Sequence, residues 1–260
     1  MLHGVDPAFV VSGLVVGLLV GFTGVGGGSL MTPLLVLVFG IHPATAVGTD
    51  LIYAGLTKIS GGAVHAYHGS VDWRITRRLA YGSVPAALLS LLLLAQLGVS
   101  SKSSGGIIST TLGVALILTA VTLVFRKALL TRLARLMEGA SEETVGILTV
   151  VLGVVLGVLV TISSVGAGAI GATILLTLYP KSPIVRIVGS DIAHAVPLTL
   201  IAGAGHWWLG SVDLHMLVSL LAGSIPGIMI SSHFASRVPD RILRPILAGT
   251  LAVVGGRLAF

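Results

Sequence analysis

The chain has 260 residues; 55% are hydrophobic, only 9% are charged, and 35 are glycine. An ordinary soluble domain carries about 25% charged residues and needs them to cover its surface. The composition therefore excludes a soluble enzyme, a nucleic-acid binder, a disordered chain and a disulfide scaffold, and the mean hydropathy of +1.06 agrees. The isoelectric point near 10.2 comes from Lys and Arg residues that sit between apolar runs, where they read as topology determinants. Cysteine is absent, so no thiolate site or Cys nucleophile is available.

In chain order, Met1–Ser12 lacks the basic stretch of a secretory signal, so the first apolar run is expected to be retained. Phe9–Phe22 is apolar and is followed by Gly24-Val25-Gly26-Gly27-Gly28-Ser29, then by the short run Leu30–Phe39. Full spans of about 20 residues are expected at Ala44–Tyr67, Ile75–Gly98 and Gly105–Phe125. The basic linker Arg126–Glu143 reads as an interfacial helix on the inner leaflet. Val145–Ile162 then meets a second break, Ser163-Ser164-Val165-Gly166-Ala167-Gly168, and the short run Ala169–Tyr179. Three more spans follow at Arg186–Trp208, Leu214–Phe234 and Ile242–Leu258.

Arg74, Arg77 and Arg78, the linker, and Arg237, Arg241 and Arg244 mark cytoplasmic loops. Loop Leu209–Asp213 has no Lys or Arg and reads as external, with both termini outside. Trp207 and Trp208 read as an interfacial anchor.

The chain repeats itself. At an offset of 141, Gly69-Ser70-Val71-Asp72 recurs as Gly210-Ser211-Val212-Asp213, Gly48-Thr49-Asp50 as Gly189-Ser190-Asp191, and His65 as His206. At an offset of 140, Val25-Gly26-Gly27-Gly28 recurs as Val165-Gly166-Ala167-Gly168. Asp72 lies in an inner loop and its counterpart in an outer one. The expected fold is an all-α polytopic membrane protein of two inverted repeats, each a Gly-broken helical hairpin plus three transmembrane helices. The division is 1–125 for the first repeat, 126–143 for the cytoplasmic linker and 144–260 for the second. Paired Gly-interrupted segments in inverted halves point to a secondary-transporter site near the midplane. Isolated Gly13, Gly17 and Gly153 read instead as helix-packing residues.

The stretch Gly21-Phe22-Thr23-Gly24-Val25-Gly26-Gly27-Gly28-Ser29, with Pro33, Ala46-Val47-Gly48-Thr49, His65 and Gly69-Ser70-Val71-Asp72, resembles the sulfite exporter TauE/SafE family of membrane permeases. The second half carries a weaker copy, and Asp50 and Asp191 depart from the small hydroxylated residue expected there. The resemblance implies transport of sulfite, sulfonates or related organosulfur anions across the cytoplasmic membrane. The alternatives are a transporter or channel for another small anion or metabolite, or a non-transporting membrane subunit. No enzyme activity, cofactor, metal or nucleic acid is expected. The expected partners are a small anionic substrate and the lipid bilayer, with a monomer and a homodimer both open.

A compact oxyanion wants N–H donors at a Gly-rich break beside a half-helix N-terminus. The expected substrate site is Thr23, Gly24, Val25, Gly26, Gly27, Gly28 and Ser29, mirrored by Ser163, Ser164, Val165, Gly166, Ala167 and Gly168, with Thr49, Ser190 and Lys58. Each hydroxyl is equally expected to bond back to a helix carbonyl. Ionisable residues within spans mark function. Asp50, Asp191, His65 and His206 are the candidates for proton coupling or gating, with structural capping the competing role for the aspartates. Lys58 lies about 12 Å along the helix from Asp50 and has no charged counterpart. Asp72 and Asp213 are expected N-caps, and Pro85 and Pro226 lie at matching positions within helices.

Overall fold

The computed structural model describes residues 6–23, 28–67, 69–98, 102–137, 139–234 and 240–259. Among them the structure is helical: α1 Pro7–Thr23, α2 Gly28–Leu37, α3 Pro43–Tyr67, α4 Trp73–Leu97, α5 Lys102–Val124, α6 Arg126–Leu136, α7 Glu142–Ser163, α8 Ala169–Leu178, α9 Ile184–Trp208, α10 Leu214–Phe234 and α11 Asp240–Ala259. Five described stretches are long and apolar enough to cross a membrane: Trp73–Leu97, Gly105–Val124, Glu142–Ser163, Ile184–Trp208 and Leu214–Ser231. The chain is thus a multi-pass, all-α membrane protein. At 25 residues, α3 is as long as α4 and α9 but carries Asp50, Lys58 and His65. Helices α2 and α8 have ten residues each and rise only about 15 Å, half a hydrocarbon core.

The polarity is inside out. Leu89, Tyr81, Met229 and Val253 are exposed, whereas Thr49, Asp50, Ser163, Ser190, Asp191 and His206 are buried. Apolar side chains facing outward suit lipid, and buried polar groups must then find partners inside.

Helix ends follow from local chemistry. Asp72 caps α4, accepting from the N–H groups of Arg74 and Ile75. Asp213 accepts from Met216 N at 3.0 Å at the start of α10. Both expected N-caps are present. Ser141 caps α7, and Glu142 and Glu143 stand in its first turn, where carboxylates favour the positive end of the helix dipole. Glu142 pairs with Arg74 and Arg78, while Arg78 also donates to the Tyr179 hydroxyl at 3.2 Å. These contacts tie α4, α7 and the end of α8 together.

Glycine sets the helix spacing. Helix α1 lies on α10 with Gly13 against the backbone of Leu220 and Gly17 against that of Ser224. Helix α7 lies on α4 with Gly153 against Leu79 and Gly157 against Ser83. From the other side, Gly223 meets Val10 and Leu14, and Gly82 meets Val150 and Val154. A Cβ at any of these positions would collide with backbone atoms. Without a hydrophobic force between helices in lipid, such close approach supplies the packing energy. Gly13, Gly17 and Gly153 are therefore packing residues, as expected. Contacts in the α1–α10 pair recur in the α4–α7 pair at the sequence offsets of 140 and 141. The pair α3–α9 runs antiparallel, since Gly48 meets Ser211 and His206, Gly55 meets Leu200, and Gly203 meets Ile52.

Candidate functional site

Asp50 on α3 is fully buried, and Asp191 on α9 is 2% exposed. The two carboxylates face the short helices. Thr32 of α2 donates its hydroxyl to Asp50 Oδ2 at 2.5 Å. Asp191 interacts with the backbone N–H of Gly168, the N-cap of α8. Gly171, in the first turn of α8, leaves open the space that Asp191 Oδ1 occupies; a Cβ there would overlap it. Gly166 and Gly168 have φ of 128° and 107°, values that glycine adopts without a side-chain penalty. The second break is therefore built by glycine, and a carboxylate is drawn to the α8 N-terminus.

Lys58 lies within electrostatic range of Asp191, Asp50 and His194. Among the described residues its ammonium makes no ion pair within 4.0 Å. One turn beyond each aspartate stands a polar aromatic side chain. His194 Nε2 lies 2.8 Å from Ser83 Oγ on α4, and Tyr53 lies within interaction range of Ser224 on α10. Tyr53 and His194 are counterparts at the 141-residue offset, as are Ser83 and Ser224.

Several buried polar atoms here lack a hydrogen-bond partner among the described residues: Asp50 Oδ1, Tyr53 OH, Ser164 Oγ, Asp191 Oδ1, His194 Nδ1 and Ser224 Oγ. Buried polar groups are nearly always satisfied, so those around Asp50 and those around Asp191 mark places that suit water, an ion or a polar ligand.

The remaining expected site residues fall into groups. Thr49 Oγ1 accepts from Asp213 N at 3.0 Å, and Ser190 Oγ accepts from Asp72 N at 2.7 Å. These two bonds are counterparts, each joining one half to the loop ahead of a helix in the other. Ser190 also donates to Arg186 O, and Ser163 donates to Leu159 O, the return to helix carbonyls expected of such hydroxyls. Ser164 Oγ makes no such bond. Val165 and Ala167 lie in the second break, with Val165 N donating to Ser163 Oγ at 3.3 Å. His206 Nε2 donates to Thr161 O at 3.0 Å, leaving Nδ1 to accept from the Ser211 hydroxyl at 2.9 Å. That histidine thereby fastens the end of α9 to the last turn of α7. Gly24, Val25, Gly26 and Gly27 lie outside the described residues, as do the side chains of Thr23, Ser29 and His65. Gly28 begins α2.

Sequence reasoning missed Thr32, Tyr53, Ser83 and the place of His194. The offset that aligned the aspartates also aligns Tyr53 with His194, but the pair differs in chemical type and does not read as a repeat.

These features define a polytopic helical membrane protein with a buried aspartate on each of the packed helices α3 and α9, each facing a ten-residue helix. The chain belongs to the sulfite exporter TauE/SafE family, whose model matches residues 9–258. It is 38% identical over 255 residues to "Probable membrane transporter protein YjnA" of Bacillus subtilis (strain 168), covering 96% of this chain and 98% of that protein. It is 29% identical over 253 residues to "Probable membrane transporter protein YdhB" of the same organism, covering 94% and 96%. No solved structure matches it.

Proposed function

We propose that this protein is a secondary transporter that moves small sulfur-containing anions (sulfite, sulfonates or related organosulfur compounds) across the cytoplasmic membrane by alternating access. The observation that carries the reading is Lys58, an ammonium without an ion pair among the described residues, within electrostatic range of two buried aspartates and His194 on the packed pair α3 and α9. Lys58 supplies three donors and a positive charge. The second break adds Ser164 and backbone N–H groups around Gly166–Gly168, and the first break, Thr23–Ser29, adds the mirrored set. Asp50 and Asp191 weaken the positive potential, which keeps an anion from binding too tightly to leave.

The matched helix contacts support a division into inverted repeats, 1–125 and 144–260, joined by 126–143 on the cytoplasmic side with both termini outside. The bonds Thr49–Asp213 and Ser190–Asp72 stand on opposite sides of this arrangement and are both closed here. Opening toward one side releases one bond and keeps the other. No nucleotide-binding loop is present in the sequence, so drive comes from a gradient. The coupling reading is a proton, with Asp50, Asp191, His65 and His206 as the proton-coupling or gating positions.

The test is flux of radiolabelled sulfite and sulfonates into proteoliposomes, with competing anions. Saturable sulfite uptake supports the reading. If no sulfur anion is moved and none competes, the substrate assignment is wrong.

A further inference from the structure

Helices α4 and α9 run parallel and are joined toward their N-terminal ends by polar contacts. Ser190 Oγ accepts from Asp72 N at 2.7 Å, Thr76 donates to Ser190 O at 3.4 Å, and His194 Nε2 lies 2.8 Å from Ser83 Oγ. Further along, Leu91 occupies the space that a Cβ on Gly205 would need. Around that contact the two helices leave a cavity of about 370 Å³, lined by Leu88, Leu91 and Leu92 of α4 and by Ile201, Gly205 and Trp208 of α9. Ligand pockets run from roughly 300 to 1,000 Å³, so the space suits a ligand. The side chains around it are apolar apart from the indole N–H of Trp208, and an apolar space of this kind does not hold water.

The cavity is a groove that opens to lipid. Both helices are long and apolar enough to cross a membrane, and Leu88, Leu92 and Trp208 are 50%, 56% and 82% exposed. Trp208 is the last residue of α9, and together with the exposed Trp207 it marks the headgroup level. Ile201 stands seven residues earlier on α9, about 10 Å deeper along the axis. The groove thus begins at the interface and runs into the hydrocarbon, which is the course of an acyl chain. A second copy of the chain fits it less well. A stable protein interface takes about 20–30 residues from each side, and this lining has seven. Nor does the groove follow from the repeat. At the 141-residue offset Leu91 becomes Ser232, Leu92 becomes His233, Ile201 becomes Ser60 and Gly205 becomes Val64. The apolar lining belongs to one end of the molecule only.

We propose that this groove seats one acyl chain of a membrane phospholipid, with the Trp208 indole N–H donating to an ester or phosphate oxygen of the headgroup. Packed leucine side chains give the chain dispersion contacts along its length. An indole, apolar in its ring and polar at its N–H, matches the junction of tail and headgroup. The site goes beyond the transport reading and holds whatever the protein moves.

The test is native mass spectrometry of the purified, delipidated full-length chain titrated with phosphatidylethanolamine, with melting followed in parallel. The expected result is a saturable adduct of one lipid per chain. Leu92→Trp places an indole in the groove from a half-exposed position, and its Kd is expected to rise by about tenfold or more. Leu88→Trp fills the same groove and should do likewise, so that loss of folding in one variant leaves the other to decide. Val151→Trp, at an exposed position on α7 outside the lining, should bind as the parent does. No saturable adduct, equal affinity in the parent and the groove-filling variants, or an equal loss in Val151→Trp would overturn the proposal. A dimer of the parent that Leu92→Trp dissociates would also overturn it, giving the groove to a second copy of the chain.

Discussion

Asp50 and Asp191 occupy equivalent places in the two halves of the chain, yet they are held differently. Asp191 rests on the first turn of α8, beside Gly168 N–H and the open space of Gly171, and takes the larger share of Lys58. Asp50 is held by the hydroxyl of Thr32 and lies within interaction range of Ser164, with Oδ1 lacking a hydrogen-bond partner among the described residues. One recurring pattern of helix contacts therefore carries two unlike aspartates. The frame is maintained by glycine contacts that recur in both halves, and the asymmetry comes from a few substitutions: Lys58 against Thr199, Tyr53 against His194, and Ser164 against Gly24. The lesson is that recurring glycine contacts set the same packing in both helix pairs, while single differences make the surroundings of the two aspartates chemically unequal.

The comparison can be broken at the frame first. Gly223→Leu and Gly82→Leu each drive a side chain into the backbone of a partner helix. Both should cost about 1–3 kcal/mol or more and lower the yield of monodisperse protein to a similar extent. A large loss in one half only, measured by thermal melting in detergent, would show that the two interfaces are not equivalent. Lys58→Met should come next. It should leave melting little changed and weaken substrate binding by about tenfold or more, about 1.4 kcal/mol.

The two carboxylates sharpen the comparison further. Asp191→Asn removes a charge that serves both Lys58 and the α8 N-terminus, and is expected to cost about 1–3 kcal/mol of stability. Asp50→Asn, with no helix end resting on it, is expected to cost less. Equal losses in chemical denaturation would argue that the environments are energetically the same. The smallest effects belong to the paired bonds between halves. Thr49→Val and Ser190→Ala each leave a backbone N–H without its acceptor and should each cost about 1 kcal/mol. They should also shift access toward opposite sides. Labelling of single cysteines introduced on the inner and outer faces would detect this, because the parent chain has no cysteine of its own.

Much of the architecture was legible because lipid imposes simple rules. Apolar runs of spanning length became helices, and Asp72 and Asp213 became N-caps because each precedes a helix with its carboxylate close to the next turn's N–H groups. Isolated glycines read correctly as packing residues because little else in lipid lets backbones touch. The centre was only partly legible. Asp50, Asp191 and Lys58 stood out because charge in a span is costly. Their partners did not, since Thr32 and Ser164 reach Asp50 through folding rather than through helical spacing. Thr49 and Ser190 were singled out as hydroxyls, but each is occupied by a backbone N–H from the far half of the chain. No local pattern encodes such a contact.

The claim that binds these observations is that the crossing of α3 and α9 is where the transported anion sits. Calorimetric titration of sulfite into the purified parent protein and into Lys58→Met, in the same detergent and with melting followed in parallel, tests it most directly. The account predicts saturable binding to the parent and an affinity lower by about tenfold or more in a folded variant. Equal affinity in the two proteins would place the anion elsewhere.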